Sequence, residues 1–476
     1  MSPLDNFNFS INSNKEKLEL GEEQVNALQK LEEFVSNKED CITLSGFAGT
    51  GKTSILKEFI GYLDDEELPY ILAAPTHRAK LVLEALTDAK KTYTLHQLLS
   101  LSPDIEIFEL DYRDLLFKVE EAFNNKNTAI PYKGVAIIDE ASMINDDLFD
   151  LLLKKCKEFK CKIVFSGDSQ QLRPVKSDHI SKVFTLDNKI TLTKIYRQKK
   201  DNPVSNVLET LRYNSLSSSD FETEIGTDNS FVVCNTPNQF LNHAVPYFKD
   251  MLSNGNVLEC KMLAYTNARV NSLNKAIRQF ILGENNTEEF NKGEILVGTD
   301  NFEFDGFKFY NSLDYVIKND PIKTKVLVPH FGEIVNGYRL DLYDSVYKVT
   351  NSIFLLSRNN DSKKLMRLAN FIETTRLKAI SLKKEKRKAA VVWRKYLDTI
   401  NSFASMFDLY YDNRVIKKKT FNYGYAISVH KSQGTTIDNV FVDISNINTV
   451  RDKNELQQLQ YVALSRTRGN AYILIW

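Results

Sequence analysis

The chain has 476 residues, 42% of them hydrophobic and 26% charged, a composition typical of a globular protein with about three domains. This composition excludes collagen-like, disordered and disulfide-scaffold proteins. Because 62 Lys and Arg balance 62 Asp and Glu, the net charge favours neither a nucleic-acid nor a membrane partner, and any basic surface must be local.

The cysteines and the amino terminus indicate the cellular setting. Five cysteines without C-x-x-C spacing suit a reducing cytoplasm. The polar amino terminus has no charged-then-apolar signal pattern, and no run approaches the ~18 apolar residues of a membrane span. We therefore expect a cytoplasmic protein with no membrane contact.

The first third of the chain alternates predicted strands and helices. Short apolar runs lie at residues 41–45, 70–74, 135–138 and 162–166, and each is followed by Gly, Pro or Asp, as in buried parallel strands. Amphipathic helical stretches lie between them. This alternation predicts an α/β core whose ligand binds beyond the carboxyl ends of the strands.

The rest of the chain predicts a second α/β core with an insertion. We assign residues 1–200 to the first core, with a small acidic-aromatic insertion at about 101–132. Strand-like runs far downstream assign 201–300 and 417–476 to the second core. Between them, residues 301–416 predict a small antiparallel β-module followed by a Lys-rich helical segment without Gly or Pro.

A phosphate-binding loop follows the first predicted strand. Residues 46–53 read G-x-x-x-x-G-K-T and open a helix, which is the context that this motif requires. Backbone N–H groups of the loop wrap a phosphate, Lys52 adds a point charge, and Thr53 is a predicted Mg²⁺ ligand. The predicted nucleotide-binding positions are Gly46, Gly49, Thr50, Gly51, Lys52 and Thr53.

Two further strand ends carry candidate catalytic residues. The run at 135–138 is followed by Asp139 and Glu140. Asp139 is a predicted Mg²⁺ ligand, and Glu140 a candidate to polarise the water that attacks the γ-phosphate. The run at 162–166 is followed by Gly-Asp-Ser-Gln-Gln. One interpretation is that a Gln of this loop reaches the nucleotide, and the other is that the loop is only a polar connection at the end of the strand.

Together these blocks resemble the superfamily 1 helicases, in the branch of phage Dda and bacterial RecD-type enzymes. Further similar blocks lie at residues 74–80 (Ala-Pro-Thr-His-Arg-Ala-Lys), 94–96, 192–198, 264–267, 428–436 and 461–468. They occur in the family's order across about 20 to 470. The resemblance implies two RecA-like P-loop cores, each a parallel sheet flanked by helices.

The resemblance also implies roles for matching residues. Gln24 matches the glutamine that reads adenine, and Gly434 a nucleotide-binding glycine. Gln171 would sense the γ-phosphate and Arg197 would contact it from the end of the first core. Arg466 would be an arginine finger from the second core, so that hydrolysis depends on closing the cleft between cores.

Nucleic acid is expected across both cores, held mainly through phosphates and sugars and therefore without sequence preference. The matching positions are Pro75, Thr76, His77, Thr94, His96, Thr266, Asn267, Ser428, His430 and Lys431. In the first-core insertion, Phe108, Tyr112 and Phe117 are candidates for a wedge that stacks on a terminal base pair. The basic stretch at 362–395 is either a solvated helix face or a surface that tracks the strand, with Trp393 as a stacking platform.

The sequence thus predicts an ATP- and Mg²⁺-dependent DNA helicase that translocates on single-stranded DNA and unwinds duplex at junctions. The branch implies 5′-to-3′ movement, and it suggests a monomer in a bacterial or phage-infected cell, with replication or recombination proteins as candidate partners. Two alternatives stay open at this point. One is an RNA-directed helicase, and the other an ATP-gated single-strand clamp or translocase that does not unwind.

Overall fold

The computed structural model describes residues 20–87, 92–101, 118–120, 128–174, 177–195, 202–283, 285–384 and 389–476. Most of the predicted first-core insertion, including Phe108, Tyr112 and Phe117, lies outside these ranges, as does Arg197.

The first core is built on a six-stranded parallel sheet with the strand order β3-β2-β4-β5-β1-β6. Its strands are β1 (Cys41–Gly46), β2 (Tyr70–Ala74), β3 (Thr92–Thr94), β4 (Val135–Ile138), β5 (Lys162–Gly167) and β6 (Lys189–Leu192). Its helices are α1 (Glu22–Ser36), α2 (Lys52–Asp65), α3 (His77–Thr87), α4 (Leu95–Leu98) and α5 (Asp146–Glu158). Helix residues such as Leu56 and Leu152 are fully buried with strand residues of the sheet, which confirms the predicted parallel sheet flanked by helices.

The chain then begins the second core and leaves it again. The elements of this stretch are α6 (Pro203–Leu211), β7 (Glu224–Ile225), β8 (Ser230–Cys234), α7 (Pro237–Asn254), β9 (Cys260–Ala264) and α8 (Asn267–Leu282). Thr236 and Thr266 cap the amino ends of the two long helices through their hydroxyl groups, and Gly255 ends α7 in the left-handed conformation.

An inserted sheet follows, mostly antiparallel, with the order β17-β16-β15-β13-β10-β20 and β14 paired to β15. Its strands are β10 (Ile295–Gly298), β13 (Asp314–Ile317), β14 (Ile322–Leu327), β15 (Ile334–Asp344), β16 (Val349–Leu356), β17 (Ala404–Ser405) and β20 (Phe421–Tyr423). Two small hairpins accompany it, β11 (Phe302–Phe304) with β12 (Phe307–Phe309), and β18 (Leu409–Tyr411) with β19 (Arg414–Lys417). Because β10 and β20 pair in this sheet, it extends a few residues beyond 301–416 at both ends.

Two helices interrupt the inserted sheet, α9 (Ser362–Lys384) and α10 (Ala390–Ile400). They carry the basic stretch of the sequence, and α9 packs on the sheet through Leu368, Ala369 and Ile372. Lys363, Arg367 and Lys378 are exposed on its other faces, as expected for an amphipathic helix.

The end of the chain completes the second core with β21 (Ala426–Ser428), β22 (Asn439–Asp443), α11 (Ile444–Ile447), α12 (Lys453–Ser465) and β23 (Ala471–Leu474). The order of this sheet is β21-β9-β22-β23-β8-β7, parallel except at the β7 edge. Two distant parts of the chain therefore form one sheet. In the described part of the chain, no helix combines the length and apolar character that a membrane crossing requires.

The three parts touch one another around the strand ends. Phe47 and Leu172 of the first core pack into the apolar cluster of the second core. Leu81 on α3 packs against the cluster of the inserted sheet. The loops after β1 and β5, at the carboxyl end of the first parallel sheet, therefore lie at the contact with the second core, and the carboxyl end is where ligands bind in such sheets.

Candidate nucleotide and nucleic-acid site

The phosphate loop joins β1 to α2 and has the backbone that its glycines permit. Gly49 and Gly51 have φ angles of 86° and 83°, which favour glycine. A Cβ on Gly51 would also lie 2.1 Å from Nε2 of Gln24. Lys52 Nζ donates to the carbonyl oxygens of Gly46 and Phe47, at 2.6 and 3.1 Å, so the ammonium group lies within the curve of the loop.

Gln24 lies against this loop and is only 4% exposed. Its Oε1 accepts from the Gly21 backbone N–H at 2.9 Å, and its Nε2 donates to the Thr50 carbonyl at 3.2 Å. The contact with Gly21 is the capping-box contact that a glutamine in the first turn of a helix commonly makes, whereas the contact with Thr50 joins the side chain to the phosphate loop. The amide group is therefore held beside the loop that is predicted to bind phosphate, with one donor and one lone pair still available.

The two acids after β4 occupy different environments. Ser166 Oγ donates to Asp139 Oδ1 at 2.8 Å and fixes that carboxylate. Burial, with the neighbouring Asp139, raises the pKa of Glu140 to about 7, while Arg466 and Lys52 oppose the rise. Glu140 also has a left-handed backbone, with φ of 53°, which is uncommon outside glycine.

Gln171 follows β5 and is 6% exposed. Its Oε1 is buried and has no hydrogen-bond partner among the described residues. A buried polar atom without a partner costs about 1–3 kcal/mol, so a group that arrives with a nucleotide would satisfy it. Arg197, the other residue predicted to contact the γ-phosphate, lies outside the described residues.

Arg466 follows the last residue of α12 and is 5% exposed. Its Nε donates to the Val462 carbonyl at 3.1 Å and one terminal nitrogen to Ser465 Oγ at 3.0 Å. Gly434, from another loop of the second core, lies beside Glu140 of the first core, since a Cβ on Gly434 would be 3.8 Å from Glu140 Oε1. The charge of Arg466 also acts on Glu140. Both second-core residues are thus brought to Glu140 of the first core.

A residue without an assigned role in the sequence analysis also enters this cleft. The Tyr461 hydroxyl accepts from the Ala48 N–H of the phosphate loop at 3.1 Å and donates to Asp168 Oδ2 at 2.9 Å. Arg212 lies over the ring of Phe47 at 4.5 Å. The signal available for Tyr461 was its place at the start of the block at 461–468, five residues before Arg466.

The predicted strand-binding hydroxyl groups lie at the ends of neighbouring parallel strands. Thr94 is the last residue of β3 and Ser428 the last residue of β21, while Thr76 comes shortly after β2 and Thr266 shortly after β9. Each hydroxyl oxygen accepts a backbone N–H three residues along the chain, at 3.1–3.3 Å. These residues therefore turn the chain as well as presenting polar groups at the edge of the sheet.

The other residues that are predicted to contact the nucleic-acid strand differ in their exposure. Pro75 is buried, His96 half-buried, and Asn267 and His430 exposed. Lys431 Nζ donates to Asn311 of the inserted segment at 3.3 Å, and burial lowers its pKa to about 8.

His77 faces the inserted sheet. Its ring centroid is 4.1 Å from that of Tyr310. Burial, together with nearby basic side chains, lowers the pKa of His77 from 6.5 to about 4, and its Nδ1 has no partner among the described residues.

The chain is similar to known proteins along most of its length. The family model described as an AAA domain matches residues 19–228, and that of the UvrD-like helicase C-terminal domain matches 423–474. The chain is 27% identical over 481 residues to the ATP-dependent DNA helicase Dda of Enterobacteria phage T4, covering 95% of this chain and 99% of Dda. It is 26% identical over 485 residues to the uncharacterized protein R530 of Acanthamoeba polyphaga mimivirus, covering 92% and 96% of the two chains. The crystal structure of Pif1 helicase from Candida albicans shares the fold, with a TM-score of 0.50, 17% identity and coverage of 96% and 94%.

Proposed function

Because the chain belongs to the superfamily 1 helicases, in the group that includes Dda, RecD and Pif1, we propose that it is an ATP-dependent DNA helicase. It hydrolyses ATP to move along single-stranded DNA, and it separates the duplex ahead of it in the 5′-to-3′ direction. The observation that carries this proposal is the contact between the two cores beside Glu140, where a Cβ on Gly434 of the second core would lie 3.8 Å from Glu140 Oε1. The charges of Lys52 from the first core and Arg466 from the second both act to lower the pKa of this acid.

The first core supplies the groups that bind the phosphates of ATP and activate the attacking water. Loop N–H groups and Lys52 bind the phosphates, and Glu140 orients the attacking water and accepts its proton. Thr53 and Asp139 present oxygen atoms, the ligands that Mg²⁺ prefers, and Ser166 holds Asp139 in place. When bound, Mg²⁺ would neutralise charge on the phosphates.

The second core makes hydrolysis depend on closure of the cleft. Arg466 stabilises the charge that develops in the transition state, a contribution worth about 10³–10⁵ in rate. Because Arg466 comes from the opposite core, its contact with the phosphates requires the cores to approach each other. Hydrolysis then releases them, so each ATP is converted into one cycle of relative motion.

The strand lies across the carboxyl-end loops of both sheets. Thr76 and Thr94 from the first core and Thr266 and Ser428 from the second present hydroxyl groups there, which suit contacts to phosphates and sugars. Binding is therefore sequence-tolerant and weakens as salt concentration rises. DNA is the proposed substrate and RNA the alternative, since no residue is identified that pairs with a 2′-hydroxyl.

The proposed setting is a monomer in the cytoplasm of a bacterial or phage-infected cell, working with replication or recombination proteins. Similarity to Dda along almost the whole chain supports it. The clamp alternative is less favoured, because a protein that only grips a strand does not need both Glu140 and an arginine finger.

The test is ATP-dependent strand separation on matched DNA duplexes that carry either a 5′ or a 3′ single-stranded tail. We expect separation only from the 5′ tail and none with Lys52→Ala. Separation only from the 3′ tail would leave the motor but reverse its polarity. Hydrolysis without separation of either substrate would replace the helicase with a translocase or clamp. Repeating hydrolysis with matched RNA strands decides between the two nucleic acids.

A further inference from the structure

Tyr461 connects the two cores at the predicted nucleotide site. The side chain is 1% exposed and its hydroxyl makes both of its contacts across the cleft, to Ala48 after β1 and to Asp168 after β5. A tyrosine needed only for packing would be expected to leave its hydroxyl near water or on a local group. Here the hydroxyl joins the second core to two different loops of the first.

Both oxygen atoms of the buried Asp168 carboxylate accept a hydrogen bond. It is 1% exposed, its Oδ1 accepts from the Gln170 N–H at 2.9 Å, and its Oδ2 accepts from Tyr461. Asp168 lies close enough to Glu140 to raise the pKa of that acid. Tyr461 is therefore bonded to the loop that carries Gln171 and that adjoins the predicted general base.

Tyr461 and Arg466 are placed by the same helix, α12. Both lie at the carboxyl end of α12, and the Arg466 guanidinium is bonded to Val462 and Ser465 of that helix. The arginine is thus held against its own helix, and the tyrosine bonds the same helix to the first core while the two cores are in contact. A displacement of about 1 Å in such an arrangement can cost about 10²-fold in rate.

We propose that Tyr461 is a positioning residue for ATP hydrolysis, whose hydroxyl places Arg466 relative to the phosphate loop by bonding to Ala48 and Asp168. This inference rests on the proposed function, since it requires ATP hydrolysis with Arg466 as the finger. It assigns no contact between Tyr461 and the nucleotide.

The test is Tyr461→Phe, which keeps the ring and removes the hydroxyl. Tyr425→Phe is the matched control, because Tyr425 is equally buried and its hydroxyl also donates to a carboxylate, Glu294 Oε1, at 2.9 Å, away from the cleft. We expect both variants to lose similar thermal stability. Only Tyr461→Phe should lower kcat for DNA-stimulated hydrolysis, by roughly tenfold, with KM for ATP changed less than about twofold.

A double-mutant cycle tests whether Tyr461 acts on hydrolysis through Arg466. If Tyr461 acts through Arg466, adding Tyr461→Phe to Arg466→Ala should change single-turnover hydrolysis by less than about twofold. An undiminished tenfold loss in that background would overturn the inference, as would equal kinetics of Tyr461→Phe and Tyr425→Phe. A rise in KM at unchanged kcat would also overturn it. If the wild-type protein shows no DNA-stimulated hydrolysis, the proposed function fails, and this inference with it.

Discussion

The imidazole of His77 lies against the phenol ring of Tyr310, with their centroids 4.1 Å apart. His77 begins α3 of the first core, while Tyr310 follows β12 of the inserted segment. The next residue, Arg78, donates to the Ser312 carbonyl at 3.1 Å. A residue predicted to touch the strand therefore also holds the inserted sheet against the first core.

This contact predicts a pH dependence of stability. Burial lowers the pKa of His77 from 6.5 to about 4, with Lys80, His96 and Lys308 acting in the same direction. The pKa of His77 is lower in the folded protein than in the unfolded chain. The contribution of the neutral His77 to the free energy of unfolding is therefore present above about pH 6.5 and is lost as pH falls toward 4. At about pH 5 the loss should be about 2 kcal/mol.

The measurement is the free energy of unfolding of wild-type protein and His77→Phe at about pH 7 and about pH 5. The variant should lose less stability than wild type over this interval. His179→Phe is the control, since His179 is an exposed histidine with 62% of its side chain accessible. An equal pH response of wild type and His77→Phe would show that His77 is not the titrating group.

Replacing Asp314 should cause a large loss of stability. Its carboxylate accepts from Lys261 of the second core at 2.8 Å and from Arg78 of the first core at 3.4 Å, and it is buried. Asp314→Asn would leave two poorly compensated cations in a buried site, which costs about 3–5 kcal/mol. Denaturant unfolding measures this loss.

The matched control is Glu333→Gln, which removes the exposed partner of Arg367 at 2.7 Å. An exposed ion pair contributes about 0–1 kcal/mol. If the two variants lost the same stability, the buried charge cluster would not be the link between the three parts of the protein.

The sequence predicted what depends on local pattern. Residues 135–138 were predicted as a strand and form β4, because a buried parallel strand is a continuous apolar run that ends where its polar residues begin. The phosphate loop follows from residue spacing alone. Both signals lie within a few neighbouring residues.

The sequence did not predict contacts between residues that lie far apart in the chain. Lys261 lies in the otherwise apolar β9, and its partner Asp314 is 53 residues away. Tyr461 meets Ala48 and Asp168 at separations of 413 and 293 residues. No local pattern marks such partners, because only the packing of the two cores brings them together.

Lys52→Ala should abolish ATP turnover and leave the fold intact. Among the described residues, the Lys52 ammonium bonds to the carbonyls of its own loop, Gly46 and Phe47, so its removal should cost less than about 1 kcal/mol of stability. DNA-stimulated hydrolysis and thermal unfolding are the two measurements. Lys57→Ala, on the exposed face of the same helix, should retain turnover. The absence of a cooperative unfolding transition in Lys52→Ala would contradict the prediction.

Glu140→Gln should separate binding from hydrolysis. The amide keeps the size of the carboxylate but cannot accept a proton, so turnover should fall by about 10²–10⁴-fold. Binding of ATP and of single-stranded DNA should persist, because neither needs the negative charge of Glu140. Filter binding and steady-state hydrolysis measure the two properties. Undiminished strand separation by this variant would remove Glu140 from the catalytic assignment.

The basic stretch on α9 and α10 predicts a change in salt dependence. Arg367 and Arg376 are paired with Glu333 and Glu373, whereas Lys378 and Lys395 line a cleft between the two helices. We expect that replacing both lysines by Ala weakens binding to single-stranded DNA. The salt slope should fall by about 0.7 for each phosphate that the variant no longer neutralises.

Arg367→Ala is the matched control for the two lysines, because its charge is already balanced by Glu333 at 2.7 Å. Affinity is measured by titration of a labelled strand at several salt concentrations. The control should change the slope less than the double lysine variant does, since a paired cation releases fewer counterions from the strand. An unchanged slope in the double lysine variant would mean that this face of the helices is simply solvated and that the strand is bound by the two cores alone.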